Sequence, residues 1–135
     1  MRPWLLLAGL NGLMGVAFAA IGAHVVDGAL APLVDRASQF QLIHAVALLA
    51  VGALAEQGGG RTVRAAGVLF VAGIVLFSGS LYWKALVGPL SLPMITPAGG
   101  MAFMLGWAVM TVAAASRPRP RPGWTGPLQN GNDGQ

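Results

Sequence analysis

Residues 65–83 read AAGVLFVAGIVLFSGSLYW and contain no acidic or basic side chain. As a helix with a rise of ~1.5 Å per residue, they span ~28 Å, close to the thickness of the hydrocarbon core of a bilayer. The apolar run ends in a polar segment, which contains Ser78, Ser80 and Tyr82 and is followed by Lys84. The pattern predicts a transmembrane helix with hydrogen-bonding side chains near one end.

Three further windows have the same length and also lack charged side chains: Leu5–Ala23, Ala37–Ala55 and Pro97–Ala115. Only 9% of the chain is charged, against roughly 25% in soluble domains. Backbone groups in a bilayer must be hydrogen-bonded within their own segment, so the windows are helices rather than strands. We predict an all-α membrane protein, an antiparallel bundle of four transmembrane helices in residues 1–115, with helices at about 4–24, 33–55, 63–85 and 97–115.

Residues 116–135 have a different composition, in which arginine alternates with proline and is followed by glycine, asparagine and glutamine. Such a segment has too few apolar side chains to form a core. We therefore predict a basic, disordered C-terminal tail.

The positions of lysine and arginine predict the orientation, because these residues favour the cytoplasmic side of a membrane. One side, which holds the N-terminus, the second connection and the tail, carries six of them: Arg2, Arg61, Arg64, Arg117, Arg119 and Arg121. The other side carries Arg36 and Lys84. We predict a multi-pass protein of the cytoplasmic (inner) membrane with both termini in the cytoplasm.

With this orientation, several polar side chains fall in the outer half of the bundle. Ser78 and Tyr82 share one face of the third helix by their i, i+4 spacing, and Ser80 and Lys84 share another. Polar side chains in a membrane often mark a functional site, but they also join helices through hydrogen bonds. We predict one polar cluster, acting as a ligand site or as a packing network, formed by His24, Gln41, His44, Ser78, Ser80, Tyr82 and Thr96.

Small residues recur along the same helices, for example at i, i+4 spacing in the first. In lipid, such residues allow helix backbones to approach closely, and this packing drives helix association. We predict helix-packing contacts at Gly15, Ala19, Gly79, Gly99, Gly100 and Gly106.

Several kinds of chemistry have no support in the sequence. The chain has no cysteine, which excludes disulfides, thiolate metal sites and cysteine nucleophiles. Its two histidines belong to no His-x-x-His or Glu-x-x-His motif, the four windows contain no carboxylate, and no Gly-x-Ser-x-Gly elbow is present. We predict no catalytic residue, no metal and no cofactor, and the placement of the charges beside apolar runs argues against a nucleic-acid partner.

Several stretches carry a family resemblance: Gly22-Ala23-His24, Gln41 before His44-Ala45, Phe77-Ser78-Gly79-Ser80-Leu81-Tyr82, Thr96-Pro97-Ala98-Gly99-Gly100 and Gly106-Trp107. Together they resemble the YgdD/YwdK-like membrane proteins, designated domain of unknown function 423, with transmembrane protein 256 as a eukaryotic relative. The resemblance covers about residues 4–115 and implies a small four-helix membrane protein without an established reaction. It also implies that the polar residues form one site or one packing motif. Ile21, in place of a bulky aromatic residue, and the proline-arginine tail depart from the family pattern.

Three classes of function remain open. The small size, the small residues and the lack of a catalytic constellation favour a non-enzymatic accessory, assembly, or lipid- or small-molecule-binding protein, with membrane lipids and a larger complex or a homo-oligomer as partners. The alternative is a small transporter or proton-coupled permeation unit, acting as an oligomer around His44, because histidine can change protonation near neutral pH. The third class is a membrane redox or hydrolytic enzyme.

Overall fold

The computed structural model describes residues 3–26 and 28–116, and the regular structure in this part of the chain is helical throughout. The first helix is Pro3–His24; the second is Ala31–Glu56, preceded by a 3-10 turn at Gly28–Leu30; the third is Gly60–Leu86; and the fourth is Ile95–Ala115. All four are long and apolar enough to cross a membrane. The prediction of an all-α protein with four membrane-spanning helices is confirmed. The predicted tail from Arg117 onward lies outside the described residues.

The second and third helices form the centre of the bundle and are more buried than the first and the fourth. The first helix packs chiefly on the second, and the fourth packs chiefly on the third. Between the two central helices the chain reverses within a few residues. Gly58 and Gly60 make this possible because their φ angles, 82° and 62°, lie in the left-handed region that glycine adopts without strain.

Two apolar clusters fill the interior. The larger one contains Leu48, Val51, Val63 and Phe70, whose side chains are almost completely inaccessible to solvent. The smaller one lies towards the polar end of the third helix and includes Val34, Ala37, Leu81, Tyr82 and Ala85. The polar residues of interest are therefore held by packed helices rather than by loops.

The third helix contains a π-helical turn directly before its polar end. Its α-helical segment Gly60–Gly73 is followed by the turn, Ile74–Ser78, and then by the α-helical segment Gly79–Leu86. The N–H of Gly79 donates to the carbonyl of Ile74, five residues earlier instead of the usual four. This extra residue rotates the last part of the helix, so the turn sets the direction in which its polar side chains point.

The fourth helix approaches the third most closely at its glycines. A Cβ atom on Gly99 would overlap the backbone of Phe77, which belongs to the π-helical turn. A Cβ atom on Gly106 would lie only 2.6 Å from the ring atom Cε1 of Phe70. A larger residue at Gly99 would push the two helices apart, whereas one at Gly106 would require the ring of Phe70 to move.

The other predicted packing residues differ in how closely they pack against neighbouring helices. Gly15 packs closely, since an added Cβ would lie 2.9 Å from the side chain of Leu42 on the second helix. Ala19 is half-buried. For Gly100 the nearest atom would be 3.9 Å away, an ordinary contact. Gly79 is exposed, and the nearest atom, at 4.0 Å, belongs to its own helix, so the described residues give it no interhelical contact.

We expect Gly99→Ala to lower the free energy of unfolding by about 1–3 kcal/mol, because the new methyl group meets backbone that cannot rotate away. Gly9→Ala is the matched control, since nothing lies within 4 Å of a Cβ at that position of the first helix. Thermal unfolding in detergent, followed by circular dichroism, measures both. Equal melting temperatures for the two variants would contradict the close approach at Gly99.

Candidate functional site

One chain of hydrogen bonds joins the third helix to the first through the second. The hydroxyl of Tyr82 donates to Oε1 of Gln41 at 2.7 Å, and Nε2 of Gln41 donates to Oδ1 of Asn11 at 3.1 Å. Nδ2 of Asn11 then donates to the carbonyl of Leu7 at 2.8 Å. Gln41 and Asn11 each accept through the amide oxygen and donate through the amide nitrogen, so the series that begins at the hydroxyl of Tyr82 ends on a backbone carbonyl. The ring of Phe18 stacks on Tyr82 with a centroid distance of 3.9 Å and covers it.

A second chain joins the third helix to the start of the fourth. The hydroxyl of Ser80 donates to the carbonyl of Phe77 at 2.9 Å, which uses its single hydrogen. The 2.7 Å contact between Ser80 and Thr96 must therefore have Thr96 as the donor. Nζ of Lys84 donates to Oγ1 of Thr96 at 3.2 Å. This chain begins on a charged group and ends on the carbonyl of Phe77, in the π-helical turn.

His44 has partners for both ring nitrogens. Nδ1 lies 2.7 Å from the carbonyl of Phe40, and because a carbonyl only accepts, this nitrogen carries the hydrogen. In the neutral ring, Nε2 is then an acceptor, and the indole N–H of Trp107 donates to it at 3.2 Å. The ring also stacks on Phe103 with a centroid distance of 3.6 Å. No nitrogen of His44 is left to bind a metal ion or haem iron in this arrangement.

Ser78 forms a separate contact between the two central helices. Its side chain is completely buried, and its hydroxyl donates to the carbonyl of Ala37 on the second helix at 2.9 Å. Ser78 and Tyr82 therefore both bond to the second helix, whereas Ser80 and Lys84 both bond to Thr96. These are the two faces that the i, i+4 spacing predicts.

The seven predicted site residues do not form one hydrogen-bonded group. Gln41 pairs with Tyr82, Ser80 pairs with Thr96, and His44 and Ser78 each have other partners. His24 is exposed at the end of the first helix and, within the described residues, has no hydrogen bond to the other six. The structure thus divides the predicted cluster into several interhelical contacts and leaves His24 apart.

Three side chains in these contacts are missing from the predicted set: Lys84, Asn11 and Trp107. With the predicted orientation, Asn11 falls in the inner half of the bundle, so sequence reasoning separates it from Gln41. The sequence does contain a signal for this contact: Asn11 is a polar residue in an otherwise apolar helix, and a buried amide needs a hydrogen-bond partner. Trp107 is 45% exposed and resembles a lipid-facing aromatic residue. Only the structure shows its N–H turned towards His44.

The hydrogen-bonding capacity of this region is used within the chain. Among the described residues, no buried side-chain nitrogen or oxygen lacks a hydrogen-bond partner. The same residues contain no group of three or more histidine, cysteine, aspartate or glutamate side chains placed to hold a metal ion. The arrangement joins helices through hydrogen bonds.

Comparison of the sequence with known proteins identifies the family of this chain. The profile of DUF423, described as a protein of unknown function, matches residues 18–100. The chain belongs to the DUF423 family. The matched region of this DUF423 protein runs from Phe18 to Gly100 and includes Gln41, Tyr82, Ser80 and Thr96 but neither Asn11 nor Trp107.

Named relatives of this DUF423 protein are similar over nearly their whole length. A UPF0382 membrane protein of Staphylococcus epidermidis is 38% identical over 120 residues, which cover 84% of this chain and 95% of the relative. The UPF0382 membrane protein YwdK of Bacillus subtilis is 38% identical, with 84% and 97% covered. The UPF0382 inner membrane protein YgdD of Escherichia coli is 32% identical, with 84% and 89% covered. No solved structure matches the chain.

The bond between Tyr82 and Gln41 gives a direct test of the first chain of hydrogen bonds in this DUF423 protein. We expect Tyr82→Phe and Gln41→Leu to destabilise the protein by about 1–3 kcal/mol each, because each leaves a buried partner unsatisfied. The double variant should lose less than the sum, with a coupling of about 0.6–1.7 kcal/mol. Unfolding of the four proteins in detergent measures the cycle.

The control for this cycle is Thr111→Val, which removes an exposed hydroxyl bonded only to the carbonyl of Trp107 in its own helix. We expect its free energy of unfolding to change by less than about 0.5 kcal/mol. If the effects of the Tyr82 and Gln41 substitutions were strictly additive, the two side chains would not interact. This result would refute the proposed hydrogen bond between them.

Proposed function

We propose that this protein is a non-enzymatic accessory or assembly protein of the cytoplasmic membrane that acts by packing its outer helices against other membrane helices. The proposal rests on one observation: in the described part of the chain, the buried polar side chains form their hydrogen bonds with other groups of the same chain. A transporter needs polar groups that face a pathway, and an enzyme needs a reactive group that faces a substrate. Tyr82, Gln41, Ser80 and His44 instead face one another or neighbouring helices.

The exposed surface supports this proposal. The first and fourth helices lie at the edges of the bundle and expose large apolar side chains. Leu13 on the first helix is 70% exposed, and Met104 on the fourth is 66% exposed. In lipid, helices associate through close packing rather than through the hydrophobic effect, and the exposed Gly9 on the first helix allows such an approach. The partner that fits them is another apolar transmembrane helix, in a larger complex or in a second copy of the chain.

The proposed orientation places both termini in the cytoplasm, on the basis of six basic residues against two. Pro3, Glu56 and Arg64 line one groove, which supports placing the N-terminus and the second connection on the same side of the membrane. The Escherichia coli relative is named an inner membrane protein, which fits the cytoplasmic membrane as the location.

The absence of cysteine allows a clean cross-linking test of this proposal. Leu13→Cys and Met104→Cys, each coupled to a thiol-reactive photocross-linker in native membranes, should give an adduct of defined mass that contains either one identified membrane protein or a second copy. Ser116→Cys, at the exposed end of the fourth helix, is the control and should be labelled without forming this adduct.

The test includes a variant that alters the outer surface without disturbing the interior. Gly9 has nothing within 4 Å of an added Cβ, so Gly9→Leu should leave the melting temperature unchanged but reduce the Leu13 adduct. The proposal fails if neither position gives a discrete adduct at natural expression levels. Proton flux in liposomes that disappears in His44→Ala would contradict it as well, and would favour a transporter.

A further inference from the structure

A groove with a volume of about 380 Å³ opens between the ends of the first three helices. It lies at the end of the third helix opposite to Ser80 and Tyr82. Apolar and charged residues from all three helices line it: Pro3, Trp4, Leu5, Gly52, Ala55, Glu56 and Arg64. The interhelical hydrogen bonds described above do not involve any of these residues.

One lining residue from each of the three helices indicates that the groove lies at the boundary between the hydrocarbon core and the lipid headgroups. Trp4 directly precedes the first apolar window, Glu56 directly follows the second, and Arg64 directly precedes the third. Tryptophan and arginine are the residues that favour this depth, where lipid phosphates lie. The groove therefore meets the membrane at the level of the phosphodiester groups.

The apolar wall of the groove is held in place by glycines. A Cβ on Gly67 would lie 2.6 Å from Cζ3 of Trp4, so the indole ring of the first helix is seated on the third. A Cβ on Gly52 would lie 2.8 Å from Cδ2 of Leu5. These close contacts pack Trp4 and Leu5 of the first helix against the other two helices.

We propose that the groove binds one phospholipid, with its phosphodiester on the guanidinium of Arg64 and its upper acyl carbons along Leu5, Gly52 and Ala55. Arg64 is exposed, and a guanidinium forms paired hydrogen bonds with phosphate oxygens. A free phosphate has no acyl chain to lie along the apolar wall, so the groove favours the lipid over the soluble anion. This proposal is independent of the accessory function proposed above.

Native mass spectrometry of the delipidated full chain in detergent tests the site, with phosphatidylglycerol as the probe. We expect one phosphatidylglycerol to bind, and a diacylglycerol with the same acyl chains to bind at least about fivefold more weakly because it lacks the phosphate. Inorganic phosphate, offered in excess, should neither bind nor displace the lipid. Arg64→Gln should weaken phosphatidylglycerol binding by about fivefold, the effect of one arginine near a lipid surface.

The matched control is Arg61→Gln, which removes an exposed arginine of the same helix that does not line the groove. Its affinity should stay within about twofold of the natural protein, because the effect of an exposed charge away from the site is small. Ala55→Leu, which fills the groove without changing charge, should also weaken binding while the melting temperature is retained.

Three results would overturn the proposal. Unchanged binding by Arg64→Gln would remove the phosphate contact. Equal losses in Arg61→Gln and Arg64→Gln would show a general effect of surface charge. Displacement of the lipid by inorganic phosphate would identify a site for a soluble anion instead.

Discussion

Inside the hydrocarbon core no water is available, so a polar side chain has to find its hydrogen-bond partner within the protein. The structure of this protein follows from how that requirement is met. Tyr82, Gln41 and Asn11 form a chain in which every donor has an acceptor, and the chain ties three helices together. A chain of this kind stabilises one register of the helices, because a shift of any helix would leave buried polar groups unpaired.

The fourth helix is held by a different combination of contacts. Glycine lets its backbone reach the π-helical turn at Phe77, and the ring of Phe103 fills the space that Gly73 leaves open on the third helix. At this distance Thr96 can bond to Ser80, and Trp107 can bond to His44. The polar contacts and the glycines therefore depend on each other: without the close approach, the hydrogen bonds of the fourth helix would be out of reach.

The sequence predicts the helices well because a bilayer requires long uncharged runs, and Ala65–Trp83 is such a run. It also predicts which polar residues of the third helix share a face. It does not show that His24 stands apart, that Gly79 is exposed or that Asn11 bonds to Gln41, since these depend on helix rotation and tilt. The π-helical turn changes that rotation, and no residue in Ile74–Ser78 predicts that a π-helical turn forms there.

The central claim is that the polar residues form dry interhelical contacts rather than a wet pocket. Water-edited solid-state NMR of the protein in lipid bilayers tests this most directly, with magnetisation transferred from water to labelled side chains. The account predicts rapid transfer to the exposed Ser116 and none, at the same mixing time, to Gln41, His44 or Tyr82. Transfer to Gln41 and Tyr82 as fast as to Ser116 would contradict it and would show a hydrated cavity in the bundle.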